Sequence, residues 1–335
     1  MRLVEAAKPT FARHETFHPR YGWFRKAYAV TKRDPQIFTR VDAPVSIGVG
    51  KNMVRAIRFW GLAAKLIVED RQRPGLVPTK FGHALFGEAG WDPYMEDPGT
   101  LWLLHWRLLA PPSLLPVWWI AFNEFHPVEF TDDALDHAVA VGLDSVGDWA
   151  KPHPSSVRKD INALLRTYAP AERSKRSGNS IDDRLDCPLR ELGLVRRSQA
   201  TGSYRFVLGA KPTLPPEIVS YAVLDYLART ETGGNTATLS RLAHEPGAPG
   251  HAFKLAEEDL FVALQQTSAT IGALRLASPT GAPQLSWSGD PAAVANEVLS
   301  SYYDITSATE GGTGHESDQL ELFDIEKRAA IVGLS

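Results

Sequence analysis

The sequence predicts a mainly α-helical protein with small β-hairpins, an α+β chain made of tandem winged helix-turn-helix-like modules. Three observations predict it. Residues 20–86 run in the order helix, short helix, turn, basic helix, hairpin, which is the order of a winged helix-turn-helix. A helix ending in Gly-Leu or Gly-Ala and leading into a hairpin recurs near residues 61, 193 and 272. The chain has 335 residues, 44% of them hydrophobic, which supplies packed cores for two or three domains.

Each element follows from local pattern. RYGWFRKAYAVTKR (20–33) reads as a helix, Asp34-Pro35 punctuates it, and PQIFTR suits a short second helix with Pro35 at its first position. VDAPVSIGVG (41–50) reads as a turn, because Pro44, Gly48 and Gly50 break regularity. KNMVRAIRFWGLAAKLI (51–67) reads as a long helix with Met53, Ile57, Trp60, Ala64 and Ile67 on its apolar face. Lys51, Arg55, Arg58 and Lys65 share a different face. LIVED (66–70) and LVPTK (76–80) form a hairpin around RQRPG, which places Arg71 and Arg73 in its turn, and FGHALFG closes the unit with a short helix.

The stretch 100–125 is the most apolar, but Arg107, His105 and three prolines interrupt it. Neither half reaches the roughly 20 apolar residues that span a bilayer. It reads as two buried, Trp-rich helices meeting at Pro111-Pro112, packed on the first domain or, through Trp118 and Trp119, on a second copy of the chain in a homodimer. Thr131 or Asp132 caps a helix after residue 130, and Ser155 or Ser156 caps SVRKDINALLRTY (156–168). In that helix Val157, Ile161, Leu164, Leu165 and Tyr168 form the buried stripe, and Lys159, Asn162 and Arg166 share another face. AERSKRSGNS (171–180) is a basic loop, and DDRLDCPLRELGLVRR leads as a helix into the hairpin of GSYRFVLG. Residues 216–229 and 257–272 are helices, residues 273–288 a hairpin, and residues 305–320 a polar linker.

The formal net charge of −3 conceals blocks. Residues 1–80 carry 16 Lys+Arg against 6 Asp+Glu, and residues 81–149 carry 1 against 11. Residues 150–215 carry 13 against 6, and residues 216–335 carry 6 against 16. Two basic blocks separated by an acidic one predict localised anion-binding faces. Lys51, Asn52, Arg55, Arg58, Lys65, Arg71, Arg73, Arg158, Lys159 and Arg166 are the candidate DNA contacts, with Arg able to read guanine edges as well as phosphates. A solvated helix face is the competing reading of Arg55 and Arg58. The organisation predicted is an N-terminal arm and winged helix-turn-helix DNA-binding domain at 1–90, and a central helical domain with a second winged-helix-like module at 91–215. A C-terminal helical and hairpin module follows at 216–304, then a polar linker and tail at 305–335. With one cysteine there is no disulfide framework, and MRLVEAAKPTFARHE has no apolar signal region, so a cytoplasmic protein is expected, with no membrane and no organic cofactor.

Several strings bear on chemistry. His14-Glu15-Thr16-Phe17-His18 matches H-E-x-x-H, but a zinc protease needs that string on a helix, and Pro19 follows at once. His14 with Glu15 can do general acid–base work, and Arg20 or Lys26 can bind phosphate; alternatively the segment is an arm whose aromatics pack on the first domain. Gly48-Val49-Gly50-Lys51-Asn52 is not a Walker A loop, because Val45 and Asn52 stand where Gly and Ser or Thr are needed. Its glycines let a phosphate approach the start of the basic helix. Asp182, Asp183 and Asp186, with Glu191 beyond, either hold magnesium or manganese for phosphodiester cleavage or cap a helix. Cys187, with Pro188 after it, reads as a buried structural thiol. No H-N-H, PD-(D/E)xK or H-x-K nuclease signature is present.

HETFHPRYGWFRKAY, DAPVSIGVGKNMVRAIRFWGLAAKLI, GTLWLLHWRLL, LDCPLRELGL and YRFVLG together resemble one bacterial family of unknown-function domains, over most of residues 11–305. Its genes sit in DNA modification and defence loci, and it includes the DNA-nicking component of Ssp-type phosphorothioation systems. The resemblance implies a DNA-nicking endonuclease working with a cysteine desulfurase, an ATPase and a sulfur-transfer protein. His14, Glu15 and Arg20, in the family segment, and Asp183 are the catalytic candidates, and the metal ligands are unknown. The alternatives are a non-catalytic winged-helix recognition subunit and a transcriptional regulator of a defence locus.

Overall fold

A computed structural model describes residues 1–169, 187–230, 234–278 and 281–309, without the side chains of 305–309. It is predominantly helical with small antiparallel β-elements, a winged-helix-like architecture.

The first unit opens with a short helix α1 (Leu3–Ala6) and an arm, followed by α2 (Trp23–Arg33) and a 3-10 turn at Ile37–Thr39. The segment read as a turn at 41–50 holds a short helix, α3 (Ala43–Ile47). Pro44 is pre-set for a first turn, and Gly48, at φ 73°, closes it with its N–H on the Pro44 carbonyl. Next comes α4 (Lys51–Ala63), shorter than the predicted 51–67. Lys65 takes a left-handed φ of 57°, which ends the helix and starts the hairpin β1 (Ile67–Glu69) and β2 (Leu76–Pro78). Gly61 sits where α4 meets α2; a Cβ there would lie 2.6 Å from the Ala27 Cβ. Helix α5 (Lys80–Phe86) closes the unit, with Thr79 accepting from the Gly82 N–H.

The apolar stretch folds as α6 (Pro98–Leu109) and α7 (Pro116–Asn123), joined through a cis Pro111-Pro112 bond. Trp118 and Trp119 are 0% and 1% exposed within one chain, so the expected dimer contact through them is corrected: the chain's own core covers them. Trp60, Trp102 and Trp106 are equally buried, and aromatic burial of this extent dominates core energetics. His105 on α6 is fully buried; its Nε2–H donates to the Ala252 carbonyl and its Nδ1 accepts from Tyr168 Oη, both at 2.8 Å. Burial pushes its pKa down to about 4, so it is a neutral bolt.

Helix α8 (Asp132–Asp144) is capped by Thr131, as expected. Helix α9 (Pro154–Tyr168) is capped by His153 rather than by a serine, because Pro154 occupies its first position. The helix expected before the second hairpin is, among the described residues, a 3-10 turn at Pro188–Leu192, which leads into β3 (Val195–Arg197) and β4 (Tyr204–Phe206). Cys187 is buried.

The last unit runs α10 (Pro216–Arg229), β5 (Thr236–Thr238), α11 (Leu239–His244), α12 (Pro249–Phe253), α13 (Glu257–Ser268), β6 (Leu274–Ala277) and β7 (Gln284–Trp287). The three strands pair in the order β5-β7-β6. Helix α14 (Pro291–Thr309) packs on α10 and carries helix through 305–309, which the sequence reading gave to the linker. Asp225 joins this unit to α6: it is fully buried, accepts from Trp106 Nε1 at 2.8 Å and pairs with Arg229 at 2.8 Å.

Candidate nucleic-acid interface

Helix α4 is buried on most of its circumference and presents Lys51, Asn52 and Arg55 to solvent, with Arg58 half-buried beside them. Its N-cap is Gly50, with no side chain to occupy the first-turn N–H groups. A helix start of this kind attracts phosphate through unsatisfied donors and the helix dipole. Arg55 Nη1 lies 3.4 Å from Glu15 Oε1, and Arg58 Nη2 lies 3.2 Å from Glu69 Oε1. Exposed pairs like these contribute about 0–1 kcal/mol, so a phosphate can displace them.

Two recesses flank this face. One, of about 610 Å³, is lined by Thr10, Arg13, Glu15, Arg55, Arg58, Phe59, Leu62 and Leu114. The other, of about 240 Å³, lies between the hairpin and residues 35–39, with Arg58, Glu69, Asp70 and Arg73 on its walls. Arg71 and Arg73 are exposed at the hairpin turn.

The arm makes one wall of the larger recess through a backbone that ordinary residues rarely adopt. Ala12, Glu15 and Thr16 have φ of 55°, 51° and 68°. Non-glycine residues there cost about 1–3 kcal/mol each and persist where surroundings over-determine them. Asp160 on α9 supplies that restraint: its Oδ1 accepts from the Ala12 N–H at 2.9 Å and lies 2.6 Å from His14 Nε2. His14 is 1% exposed and stacks on Trp60. The expected acid–base pair of His14 and Glu15 is therefore corrected. The left-handed residues turn the imidazole into the core, while the Glu15 carboxylate faces Arg55. His18 is likewise diverted, so the two histidines of the H-E-x-x-H string face different surroundings. Burial, then the charges of Arg190, Arg166 and Arg20, push the His18 pKa down to about 3. Arg20 lies over the rings of Phe17 and Trp23, at 5.7 and 5.6 Å.

Two candidate DNA contacts are displaced. Lys65 is buried, and its Nζ donates to the carbonyls of Arg107 and Ala110, the latter at 2.7 Å, capping the end of α6. The helix ends before it, so the periodicity that put it on the basic face does not reach it. Arg158 sits among Asp132, Asp133 and Asp136, at 3.6, 2.7 and 3.5 Å, where it ties α9 to the start of α8. Lys159 and Arg166 remain exposed on α9. Asp182, Asp183, Asp186 and the basic loop 171–180 lie outside the described residues. Among the described residues, no three His, Cys, Asp or Glu side chains converge to hold a metal. The sequence reading missed Arg13 in the recess; its membership of the first basic block was the available signal.

A winged-helix-like chain with a cationic helix face belongs, as a class, with nucleic-acid-binding proteins. The chain belongs to the family described as Protein of unknown function (DUF4007), whose model matches residues 11–303. It is similar to a magnesium-ion-bound SspB crystal structure, with 36% identity, a TM-score of 0.86, and coverage of 98% of this chain and 97% of that one. A second SspB crystal structure matches with the same identity and TM-score, over 99% and 97% of the two chains. No curated protein sequence matches the chain. No helix among the described residues is long and apolar enough to cross a membrane.

Proposed function

We propose that this protein nicks DNA as a component of a bacterial DNA phosphorothioation defence system. The observation that carries this reading is the near full-length likeness to SspB at 36% identity. The duplex lies against α4 and the hairpin turn. Lys51, Asn52, Arg55, Arg58, Arg71 and Arg73 take phosphates and base edges, and Lys159 and Arg166 extend the surface onto α9. Residues 1–90 form the arm and winged helix-turn-helix-like module, residues 91–215 a central helical domain with a second winged-helix-like module, and residues 216–304 a C-terminal helical and hairpin module. Its partners are DNA and the cysteine desulfurase, ATPase and sulfur-transfer components of such a system.

A nick is the hydrolysis of one phosphodiester: water adds to phosphorus, one P–O ester bond breaks, and a hydroxyl and a phosphate remain. In this reading Glu15 takes the water's proton; the presence of its carboxylate in the recess with Arg13, Arg55 and Arg58 supports that role. Those guanidiniums neutralise charge that builds on the phosphoryl oxygens. His14 is a positioning residue that holds Glu15 through the Asp160 contact. Arg20 and Asp183 complete the candidate set. Magnesium or manganese belongs to the reaction by likeness to the magnesium-bound relative; among the described residues no three His, Cys, Asp or Glu side chains converge to hold it.

The test is conversion of supercoiled plasmid to open circle with magnesium or manganese, with and without the partner components. Wild type is expected to nick. Glu15→Gln, Arg20→Ala and Asp183→Ala are each expected to slow nicking by about 100-fold or more, the scale of lost acid–base or electrostatic groups. Intact binding without open circle under every condition gives a recognition subunit instead. A footprint confined to one promoter gives a regulator.

A further inference from the structure

The larger recess has two chemistries. Arg55, Arg58, Phe59 and Leu62 fall at i, i+3, i+4 and i+7, so a single stripe of α4 lines it. Along its length that stripe changes from cationic to apolar. Arg13, on the arm, has no hydrogen bond or ion pair among the described residues, and Arg55 pairs with Glu15 only at 3.4 Å. Leu114, from the link between α6 and α7, completes the apolar end. Phe59 is buried, its ring edge-on to Trp60 and His14 at centroid distances of 5.3 and 5.9 Å, while Leu62 and Leu114 are half-buried. Backbone bonds hold the opposite walls together. The Ser113 N–H donates to the Ala6 carbonyl at 2.8 Å, the Lys8 N–H to the Ser113 carbonyl at 2.9 Å, and the Leu115 N–H to Ser113 Oγ at 3.1 Å. They fix Leu114 beside the arm segment that carries Thr10 and Arg13. A phosphate alone would use only the cationic end. About 610 Å³ with an apolar floor falls instead in the range of sites for organic ligands.

We infer that this recess takes one nucleotide turned out of the DNA stack, its phosphate on Arg13, Arg55 and Arg58 and its base against Phe59, Leu62 and Leu114. The inference rests on the duplex-binding reading above and names the part of the DNA that the site receives. From Arg55 to Leu62 the helix rises about 10 Å, on the scale of a nucleotide from phosphate to base. Unstacking a base is unfavourable, and contact of its faces with apolar side chains, together with charge-assisted bonds to its phosphate, offsets that cost. The ester bond beside that phosphate then lies in the recess that holds Glu15.

The test compares the affinity of the full chain for two duplexes of one sequence, one fully paired and one with a single unpaired nucleotide near its centre. The unpaired nucleotide is already unstacked, so wild type is expected to bind that duplex about tenfold tighter or more. 2-Aminopurine at the unpaired position is expected to be protected from acrylamide in the complex. Leu62→Trp fills the apolar end with an indole, and should bring the ratio of affinities to about one and remove the protection. Leu114→Asn, on the opposite wall, should act in the same direction without filling the recess; a Tm near that of wild type qualifies each variant. Lys51→Glu, outside the recess, should weaken binding of both duplexes and keep their ratio. Equal affinity of wild type for the two duplexes overturns the inference, while the duplex-binding reading stands. A preference that survives both Leu62→Trp and Leu114→Asn comes from the pliability of the unpaired duplex, and also overturns it. Binding of the free 2-aminopurine deoxynucleotide that Leu62→Trp abolishes, with no preference between duplexes, assigns the recess to a free nucleotide and overturns the strand assignment. If wild type binds neither duplex, the α4 reading itself has failed, and the strand assignment with it.

Discussion

The first unit, α2 to α5, and the last, α10 to β7, use the same plan for different surfaces. Each leads through a short helix to a longer one, α4 or α13, and then to an antiparallel hairpin. On α4 the exposed positions are Lys51, Asn52 and Arg55, with no acid in the first turn. On α13 the first turn carries Glu257, Glu258 and Asp259, and Val262, Gln265 and Gln266 are exposed further along. A phosphate approaching α4 meets cations and open N–H groups. At α13 it meets carboxylates, and Asp259 already accepts from the Ala256 N–H at 2.9 Å. A similar order of elements therefore carries opposite surface charge in the two units, and that charge decides which of them attracts an anion.

The two units share a second device. Lys65 follows α4 and Lys254 precedes α13; both have left-handed backbones, with φ of 57° and 55°, and both cap the carbonyl end of a central helix. Lys254 Nζ donates to the Phe122 carbonyl at 2.7 Å and lies over Phe206. Burial, then the nearby Lys211, hold its pKa at about 7.

The largest expected effect comes from that lysine. Its folded pKa lies below the ordinary lysine value, so between about pH 7 and 10.5 the unfolded chain binds more protons. Stability should rise with pH across this window, by up to about 5 kcal/mol, and the penalty is fully present below pH 7. Urea unfolding from pH 6.5 to 10 measures it. Lys254→Met should flatten the curve, leaving the shallower contribution of Lys211; an unchanged curve would place the titration elsewhere.

Charge reversal probes the surfaces. Lys51→Glu with Arg55→Glu and Arg58→Glu should weaken duplex binding by about 100-fold or more at moderate salt. Glu258→Lys on α13 should change it less than about threefold, by long-range attraction alone. Equal effects in fluorescence anisotropy would mean that DNA touches both units.

Packing is the next level. Gly61→Val places atoms against Ala27 and Ile67, where α4 crosses α2, and should destabilise the chain by about 1–3 kcal/mol in thermal or urea melts. Smallest are the matched caps. Thr79 accepts from the Gly82 N–H at 2.9 Å and Thr238 from the Arg241 N–H at 3.3 Å. Thr79→Ala and Thr238→Ala should each cost about 1 kcal/mol, more at the shorter bond. A difference of several kcal/mol would show that one unit depends on its cap for more than a local bond.

Much of this could be read from local pattern. The helix 216–229, the helix starting at Lys51, the hairpins and the Thr131 cap follow from periodicity and turn chemistry, which act over a few residues. The strings around GVGKNMVRAIRFW and LDCPLRELGL were enough to place the chain in its family. The sites were only partly legible. Lys51, Arg55 and Arg58 share a face because one helix carries them, so spacing reveals them.

By itself, then, the sequence determined the helical class, the order of elements, the charge blocks and the family. Only the tertiary structure decided which charged residues work together. Lys65 and Arg158 looked like their basic neighbours, but burial against α6 and three aspartates at the start of α8 assigned them to the fold. His14 and Glu15 are adjacent in sequence, yet left-handed backbone sends one to Asp160 and the other to Arg55. Asp160 and the arm come from distant segments and meet only because α9 packs beside the arm. Secondary structure is set by neighbours in sequence; electrostatic sites are set by distance and solvent access, which the packed chain alone defines.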